Sequence, residues 1–136
     1  GNPIENTHNQ TDFKKIIRRL YDLKCAISGT SINYLHYTNL QASHIKPVLS
    51  PHNGPHRLDN GILLNLDLHY AFDCGYFTIT DDYKIKVHEN LINSSLKQFN
   101  NKDISLPSDE NIRPSLEYIS YHRENIFGRL RPLRND

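Results

Sequence analysis

A histidine and an aspartate stand four residues apart in the stretch NLDLHYAFDCG, residues 65–75. On a helix, positions i and i+4 share one face, so His69 and Asp73 would point the same way from a segment that is otherwise apolar. Such a pair can bind a divalent metal ion through mixed nitrogen and oxygen ligands. It can also form a plain hydrogen bond that stabilises the helix by a few tenths of a kcal/mol, roughly.

Two more polar residues stand where the preceding elements end. We expect a short strand in NLQASHI, near whose end lies His44, then an irregular loop over residues 46–60, and a buried strand in GILLN. Asn60 closes the loop. A neutral imidazole can take a proton from water because its unperturbed pKa is about 6.5. A lone histidine is by default an ordinary core or surface residue, and DNG is turn chemistry whatever the function.

The order His44, Asn60, His69 resembles the HNH nucleases, the ββα-metal group that includes colicin DNases and many restriction and antiphage enzymes. The resemblance covers roughly residues 20–127 and is closest to the branch found at the ends of restriction-endonuclease-like proteins. The segments that carry it are LQASHIKP and LDNGILLNLDLHYAFDCGYFTI, with CAISG upstream and LP (106–107) and RPSLEYISYHRENIF (113–127) downstream.

This resemblance implies a role for each residue. His44 would be the general base that deprotonates water, and Asn60 would fasten the loop beneath it through backbone hydrogen bonds, so that the imidazole is correctly turned. His69 and Asp73 would bind one divalent ion, Mg²⁺ or Mn²⁺, with Zn²⁺ as the alternative. The implied reaction is cleavage of DNA to 5′-phosphate and 3′-hydroxyl ends, in a restriction or antiphage-defence protein.

The chain departs from the family pattern at Ser43. Many HNH enzymes carry Asp, Glu or His immediately before the base, as a further ligand. Serine is a poor substitute, so water and substrate phosphate would complete the shell, which favours a hard ion that keeps its waters. This departure also leaves open a weakened or inactive enzyme. CAIS has only Cys25 where many relatives carry a CxxC pair, so we expect no structural zinc.

Basic residues near these motifs are candidates for DNA contact. The candidates are Arg57, in the loop before Asn60, and Arg123, Arg129 and Arg131, near aromatic residues in the C-terminal segment. A solvated basic tail would explain the C-terminal group at least as well. His52 and His56 lie in the same loop as Arg57 and could face phosphate, but a solvated loop explains them equally well. The net charge of only +1 implies weak DNA binding by this domain alone.

The elements that must hold these residues predict an α+β fold: a ββα-metal core with an added β-hairpin and flanking helices. Thr11 would cap a helix over TDFKKIIRRLYDLK, followed by a loop to about residue 38. YFTITDDYKIKV is typical of a hairpin, and helices are expected near 89–99 and at 115–127.

We expect three regions: a disordered lead-in at residues 1–10, an HNH nuclease domain at 11–130 and a basic tail at 131–136. The chain begins with Gly and contains no Met, so we expect it to be a domain of a larger protein, with a specificity or sensor domain elsewhere. A homodimer is compatible with double-strand cleavage, because each core has one cutting centre.

Composition excludes several other classes. Hydrophobic residues make up 37% of the 136, and no apolar run approaches the length of a membrane span. Two cysteines are too few for a disulfide framework, which predicts a cytoplasmic protein. Two other functions stay open: a non-catalytic DNA-binding or interaction module on the same scaffold, and a nuclease that acts on RNA. A thiol nucleophile is disfavoured, because FDCG is better explained as the end of the metal helix.

Overall fold

The structure is a computed structural model that describes residues 9–134. The described α-helices are α1 (Gln10–Leu20), α2 (Leu66–Asp73) and α3 (Leu116–Asn125). The described strands are β1 (Asn33–Tyr34), β2 (Tyr37–Thr38), β3 (Leu40–His44), β4 (Gly61–Asn65), β5 (Phe77–Ile79) and β6 (Ile85–Val87). Each strand pairs antiparallel with its neighbour in the chain, as β1–β2, β3–β4 and β5–β6. The predicted α+β class is confirmed.

Strands β3 and β4 and helix α2 form the predicted ββα core. The register sets His44 opposite Gly61 and Leu40 opposite Asn65. Asn65 both ends β4 and caps α2, because its side-chain oxygen accepts a hydrogen bond from Leu68 N at 2.9 Å. The chain therefore passes from strand to helix without a loop, and α2 packs against both strands.

Helix α1 covers the β3–β4 hairpin with two completely buried side chains, Phe13 and Ile17. Gly61 permits this close approach. A Cβ atom added at Gly61 would lie 2.5 Å from Ile17 Cδ1 and 2.8 Å from Phe13 Cζ. The helix thus comes near enough for the Phe13 ring to stack on His44, with ring centroids 4.1 Å apart.

On the other side of α2, the buried His122 of α3 joins three elements. Its ring stacks on Phe72 of α2 at 3.8 Å between centroids. Its Nε2 donates to Phe72 O at 3.0 Å, and its Nδ1 lies 2.8 Å from Thr78 Oγ1 of β5, from which it accepts. Burial lowers the pKa of His122 to about 3, so the ring is neutral and these two contacts fix its tautomer.

The expected bounds of the first helix were wrong. Asn9, rather than Thr11, is the N-cap and accepts a hydrogen bond from Asp12 N at 2.9 Å. The helix ends at Leu20, because Asp22 and Leu23 both adopt left-handed backbone with φ of 54°. Residues 1–8 of the expected lead-in and residues 135–136 of the expected tail lie outside the described residues.

Two further expectations differ from the structure. The segment near 89–99 forms two 3-10 turns, Glu89–Leu91 and Ser95–Phe99, because Ser94 interrupts it and caps the second turn through Leu96 N. The expected loop before residue 38 contains the β1–β2 hairpin. Among residues 9–134, no helix combines the length and the apolar character needed to cross a membrane.

Candidate active site

A cleft of about 410 Å³ lies between α1, the β3–β4 hairpin and α2. The charged and polar side chains that line it are Gln10, Lys14, Arg18, Gln41, His44, His69 and Asp73. The cleft therefore brings together the predicted general base and both predicted metal ligands. Asn60 is buried behind it.

His44 lies at the end of β3, between an aromatic ring and a second histidine. Phe13 stacks on its face with an interplanar angle of 13°, and His44 Nε2 lies 2.9 Å from His56 Nδ1. Burial, with the nearby charges of His56, Lys14 and His69, lowers the pKa of His44 to about 4. The imidazole is therefore neutral near pH 7, which is the form that can accept a proton.

The contact with His56 was missed by sequence reasoning, which left open whether this residue faces phosphate or belongs to a solvated loop. The strand register nevertheless indicates this contact. His44 pairs with Gly61, so the last residues of the 46–60 loop must return to the end of β3. A histidine four residues before Asn60 is therefore expected near His44, and the structure brings the two rings within 5.0 Å of each other.

Asn60 is completely buried and holds the loop by its side-chain amide. Its Oδ1 accepts from Lys46 N at 2.8 Å, and its Nδ2 donates to Lys46 O at 3.1 Å and Pro55 O at 3.0 Å. These are backbone hydrogen bonds of the kind expected for a residue that fastens the loop. The hydrogen bond to Pro55 O also fixes the neighbour of His56.

His69 and Asp73 face each other on α2, with Nε2 and Oδ2 3.1 Å apart. The other ring nitrogen of His69, Nδ1, contacts Gln41 Oε1 on β3. Because an amide oxygen accepts hydrogen bonds, Nδ1 carries a proton and Nε2 turns its lone pair toward the carboxylate when the ring is neutral. A metal ion placed between Nε2 and Oδ2 would accept electron pairs from both.

The donor set at this position fits a divalent ion. A histidine whose second nitrogen is held by an acceptor, as His69 is held by Gln41, is typical of metal ligands. Among residues 9–134, no group of three or more His, Cys, Asp or Glu is placed to hold a metal. Ser43 is buried and does not line the cleft. His69 and Asp73 would thus be joined in a shell by water or substrate oxygens.

Two of the predicted DNA-binding arginines are engaged within the protein. Arg57 donates from Nε and Nη2 to the two carboxylate oxygens of Asp59, at 3.0 and 3.2 Å. Arg123 donates to Ile79 O at 3.1 Å and to Asp81 Oδ1 at 2.9 Å. Neither side chain lines the cleft. Both arginines therefore hold loops in place.

The segment with the other two arginines, Arg129 and Arg131, runs beside α2. Gly128 N donates to Gly75 O at 2.9 Å, and Arg131 N donates to Cys74 O at 3.2 Å. Leu133 then reaches the cleft. This segment therefore follows α3 back to the end of the helix that carries Asp73.

Sequence reasoning also missed the cations of α1. Lys14 and Arg18 line the cleft together with His44. Their signal was the spacing of four residues in KKIIRR, which aligns them on one face of a helix, beside the face that carries the buried Phe13 and Ile17. The cleft is consequently positive on one wall.

Residues 25–80 match the family described as HNH endonuclease. This segment is similar to that family. The HNH segment contains the ββα core and four of the predicted site residues: His44, Asn60, His69 and Asp73. The predicted resemblance is confirmed, and the HNH segment is of a type found in endonucleases.

A solved structure described as a modification dependent TagI restriction endonuclease has a similar fold. The TM-score is 0.66 at 23% sequence identity, and the similarity covers 93% of this chain. It covers 41% of that protein, so the chain spans less than half of its length. The shared fold therefore extends beyond the HNH segment to the helices around it. No curated protein matches the chain.

Proposed function

We propose that the protein is a metal-dependent endonuclease that hydrolyses phosphodiester bonds of DNA, as the cleavage domain of a restriction or antiphage-defence protein. The observation that carries this proposal is the cleft, in which neutral His44 lies with the His69–Asp73 pair and a wall of two cations. The HNH family of residues 25–80 and the fold shared with a restriction endonuclease support it.

His44 is the proposed general base. Its Nε2 is engaged with His56, so Nδ1 is the nitrogen that would take the proton from the attacking water. Phe13 covers one face of the ring and keeps bulk water from it. General-base catalysis by such a group contributes about 10²–10⁴-fold in rate. Asn60 and His56 are positioning residues, because they act on the loop and on the His44 ring.

His69 and Asp73 are the proposed ligands of one divalent ion, Mg²⁺ or Mn²⁺, with Zn²⁺ as the alternative. When bound, the ion supplies positive charge for the phosphorane-like transition state and the leaving 3′ oxygen. Gln41 orients the His69 ring through Nδ1. Lys14 and Arg18 attract the phosphate backbone to the same wall of the cleft.

The proposed substrate is duplex DNA, with Arg129 and Arg131 as further backbone contacts beside α2. Arg57 and Arg123 are weaker candidates because their guanidinium groups bind acidic side chains of the protein. We propose that target choice belongs to a further domain, that two copies act together in double-strand cleavage, and that the protein works in the cytoplasm, where its two buried free cysteines stay reduced.

Plasmid nicking tests the proposal. The wild type is incubated with Mg²⁺, Mn²⁺ or a chelator, alongside His44→Ala and the matched control His88→Ala, whose histidine does not line the cleft. We expect metal-dependent nicking that His44→Ala lowers by about 100-fold or more and that His88→Ala retains. Circular dichroism confirms folding, and His44→Gln is the second variant if the loss of the Phe13 stack unfolds the first. Nicking that persists in both variants would contradict the proposed role of His44 as the general base.

One observation favours a second candidate, a non-catalytic DNA-binding module. Only two donor side chains, His69 and Asp73, face the proposed metal position within residues 9–134, and Ser43 stands where many relatives have a third. The same assay separates the two functions. DNA binding without cleavage in any of Mg²⁺, Mn²⁺ and Zn²⁺ would favour the module, and cleavage of RNA in preference to DNA would redirect the substrate.

A further inference from the structure

The β1–β2 hairpin presents an apolar surface to solvent. Tyr34 is 73% exposed, Leu35 79% and Tyr37 65%. Large side chains of this kind are usually buried, and a cluster of them on a surface marks an interaction site. The hairpin is nevertheless a defined structure: Thr38 Oγ1 donates to Asn33 Oδ1, and Ile32 N donates to Asn39 Oδ1 at 2.8 Å.

The hairpin is continuous with the cleft through one cation. Arg18 and Leu23 line a shallow depression of about 220 Å³ together with hairpin residues that include Leu35 and Tyr37. Arg18 also lines the cleft that contains His44. In addition, β2 leads into β3 through a single residue, Asn39, so the hairpin and His44 belong to one stretch of backbone.

The charge around the hairpin favours a polyanion as its partner. Residues 10–24 carry five basic side chains and two acidic ones, whereas residues 30–39 carry no acidic side chain. Aromatic and apolar groups beside cations are the combination that binds nucleic acid: the cations pair with phosphates, and the aromatic groups contact sugars and bases. A two-stranded ribbon also has the width to enter a groove of duplex DNA.

We propose that the β1–β2 hairpin is a second DNA-contacting element, which binds duplex DNA on one flank of the phosphate held in the cleft. Arg18 lies between the two regions and contacts the intervening backbone. Tyr34 and Leu35 make apolar contact with sugars and base edges in the major groove, which admits a two-stranded ribbon. This inference rests on the proposed function, because it takes duplex DNA as the substrate.

Fluorescence anisotropy with a labelled duplex of about 20 base pairs tests the hairpin, because such a duplex extends beyond the cleft on both sides. The full chain is titrated in chelator, so that nothing is cleaved, over a series of salt concentrations. The variant is Tyr34→Ser with Leu35→Asn. Leu35 has a φ of 56°, a left-handed backbone conformation that asparagine adopts more readily than leucine. The change therefore preserves the turn. The matched control is Leu116→Gln, an exposed leucine on α3 that lies outside both regions.

The salt series separates the two kinds of contact. We expect the hairpin variant to bind about 5- to 20-fold more weakly with an unchanged slope of log K against log salt, because apolar contacts release no counterions. Arg18→Ala should weaken binding and reduce the slope by about 1. Leu116→Gln should bind as the wild type does.

The outcomes also distinguish this inference from the function on which it rests. If the wild type binds the duplex and the hairpin variant binds it equally well, the inference is overturned. If the wild type binds no duplex at any salt concentration, the proposed DNA substrate fails, and this inference fails with it. Circular dichroism of each variant excludes unfolding as the reason for weaker binding.

Discussion

His44 Nε2 and His56 Nδ1 lie 2.9 Å apart, joining the end of β3 to the loop that returns to β4. One ring donates and the other accepts, so the contact fixes the plane of His44 and couples its tautomer to that of His56. Phe13 holds the same ring from its face. The path of the 46–60 loop therefore determines which nitrogen of the proposed base is presented to the cleft.

Replacement of His56 by alanine should raise the pKa of His44. Both the burial and the neighbouring charge that now lower this pKa to about 4 would diminish. The acid limb of the pH–rate profile for nicking should consequently move to higher pH, toward 6.5 or so. We expect a fall in kcat with little change in KM. His52→Ala is the matched control, because this second loop histidine contacts Tyr121 instead. An acid limb that stays in place would refute the role of His56.

Substitutions on α2 should separate metal binding from helix stability. His69→Ala and Asp73→Asn should each weaken Mn²⁺ binding by about tenfold or more in isothermal titration, because each removes one of two protein donors. Gln41→Leu should weaken it by a smaller factor, since it frees the Nδ1 side of His69. Asp67→Asn, on the same helix but outside the cleft, is the control. If all four variants bind Mn²⁺ with the affinity of the wild type, the assignment of His69 and Asp73 as ligands is wrong.

Replacement of Asn60 by alanine should destabilise the domain strongly. It removes three hydrogen bonds and leaves backbone groups of the half-buried Lys46 and Pro55 without these partners. We expect a loss of about 2–4 kcal/mol in the free energy of unfolding, measured with urea. Asn90→Ala, at an exposed position, should change it by less than about 0.5 kcal/mol. A loss below about 1 kcal/mol for Asn60→Ala would show that the loop keeps its shape by other contacts.

His122 should make the domain sensitive to acid. Its pKa is about 3 when folded and about 6.5 when unfolded, so the unfolded chain binds the proton first as the pH falls. Stability is therefore fully present above pH 6.5 or so and is lost progressively toward pH 3, by about 2 kcal/mol at pH 5. Urea unfolding at pH 8 and pH 5 should show this loss in the wild type.

His122→Gln provides the comparison, since an amide can still donate to Phe72 O. The variant should lose about 2 kcal/mol less between the two pH values. His44 adds a loss of the same sign to both proteins, so the difference belongs to His122. If the variant does not fold, NMR titration of His122 in the wild type decides: a normal pKa near 6.5 would contradict the prediction.

Arg57 and Arg131 should behave differently although both are candidates for DNA contact. Arg57→Ala leaves the Asp59 carboxylate, which is 11% exposed, without its bidentate partner, so stability should fall by about 1–3 kcal/mol. Arg131→Ala should leave stability unchanged and reduce the salt slope of duplex binding. Urea unfolding and anisotropy on both variants check this pair. The reverse pattern would move the DNA contact to the loop of Arg57.

Local sequence patterns were enough for the ββα core. Strands β3 and β4 and helix α2 match their expected bounds within a residue or two, because alternation, the turn at Asn60 and the cap at Asn65 are all local features. The β1–β2 hairpin escaped prediction, since its two-residue strands bury little and depend on side-chain hydrogen bonds such as Thr38 to Asn33. The single helix expected near 89–99 is absent for a similar reason. Its apolar residues have helical spacing, but they have no continuous core to pack against.

The sequence by itself determined which residues are proposed to carry the chemistry: a histidine at the end of a strand, an asparagine before a glycine, and a His–Asp pair one helical turn apart. Only the tertiary structure decided that His56 touches the ring of His44, that Lys14 and Arg18 share its cleft, and that Arg57 pairs with Asp59. The physical reason is chain path. Spacing within one element follows from its period, whereas a contact across a loop depends on how hydrogen bonds and packing fold that loop.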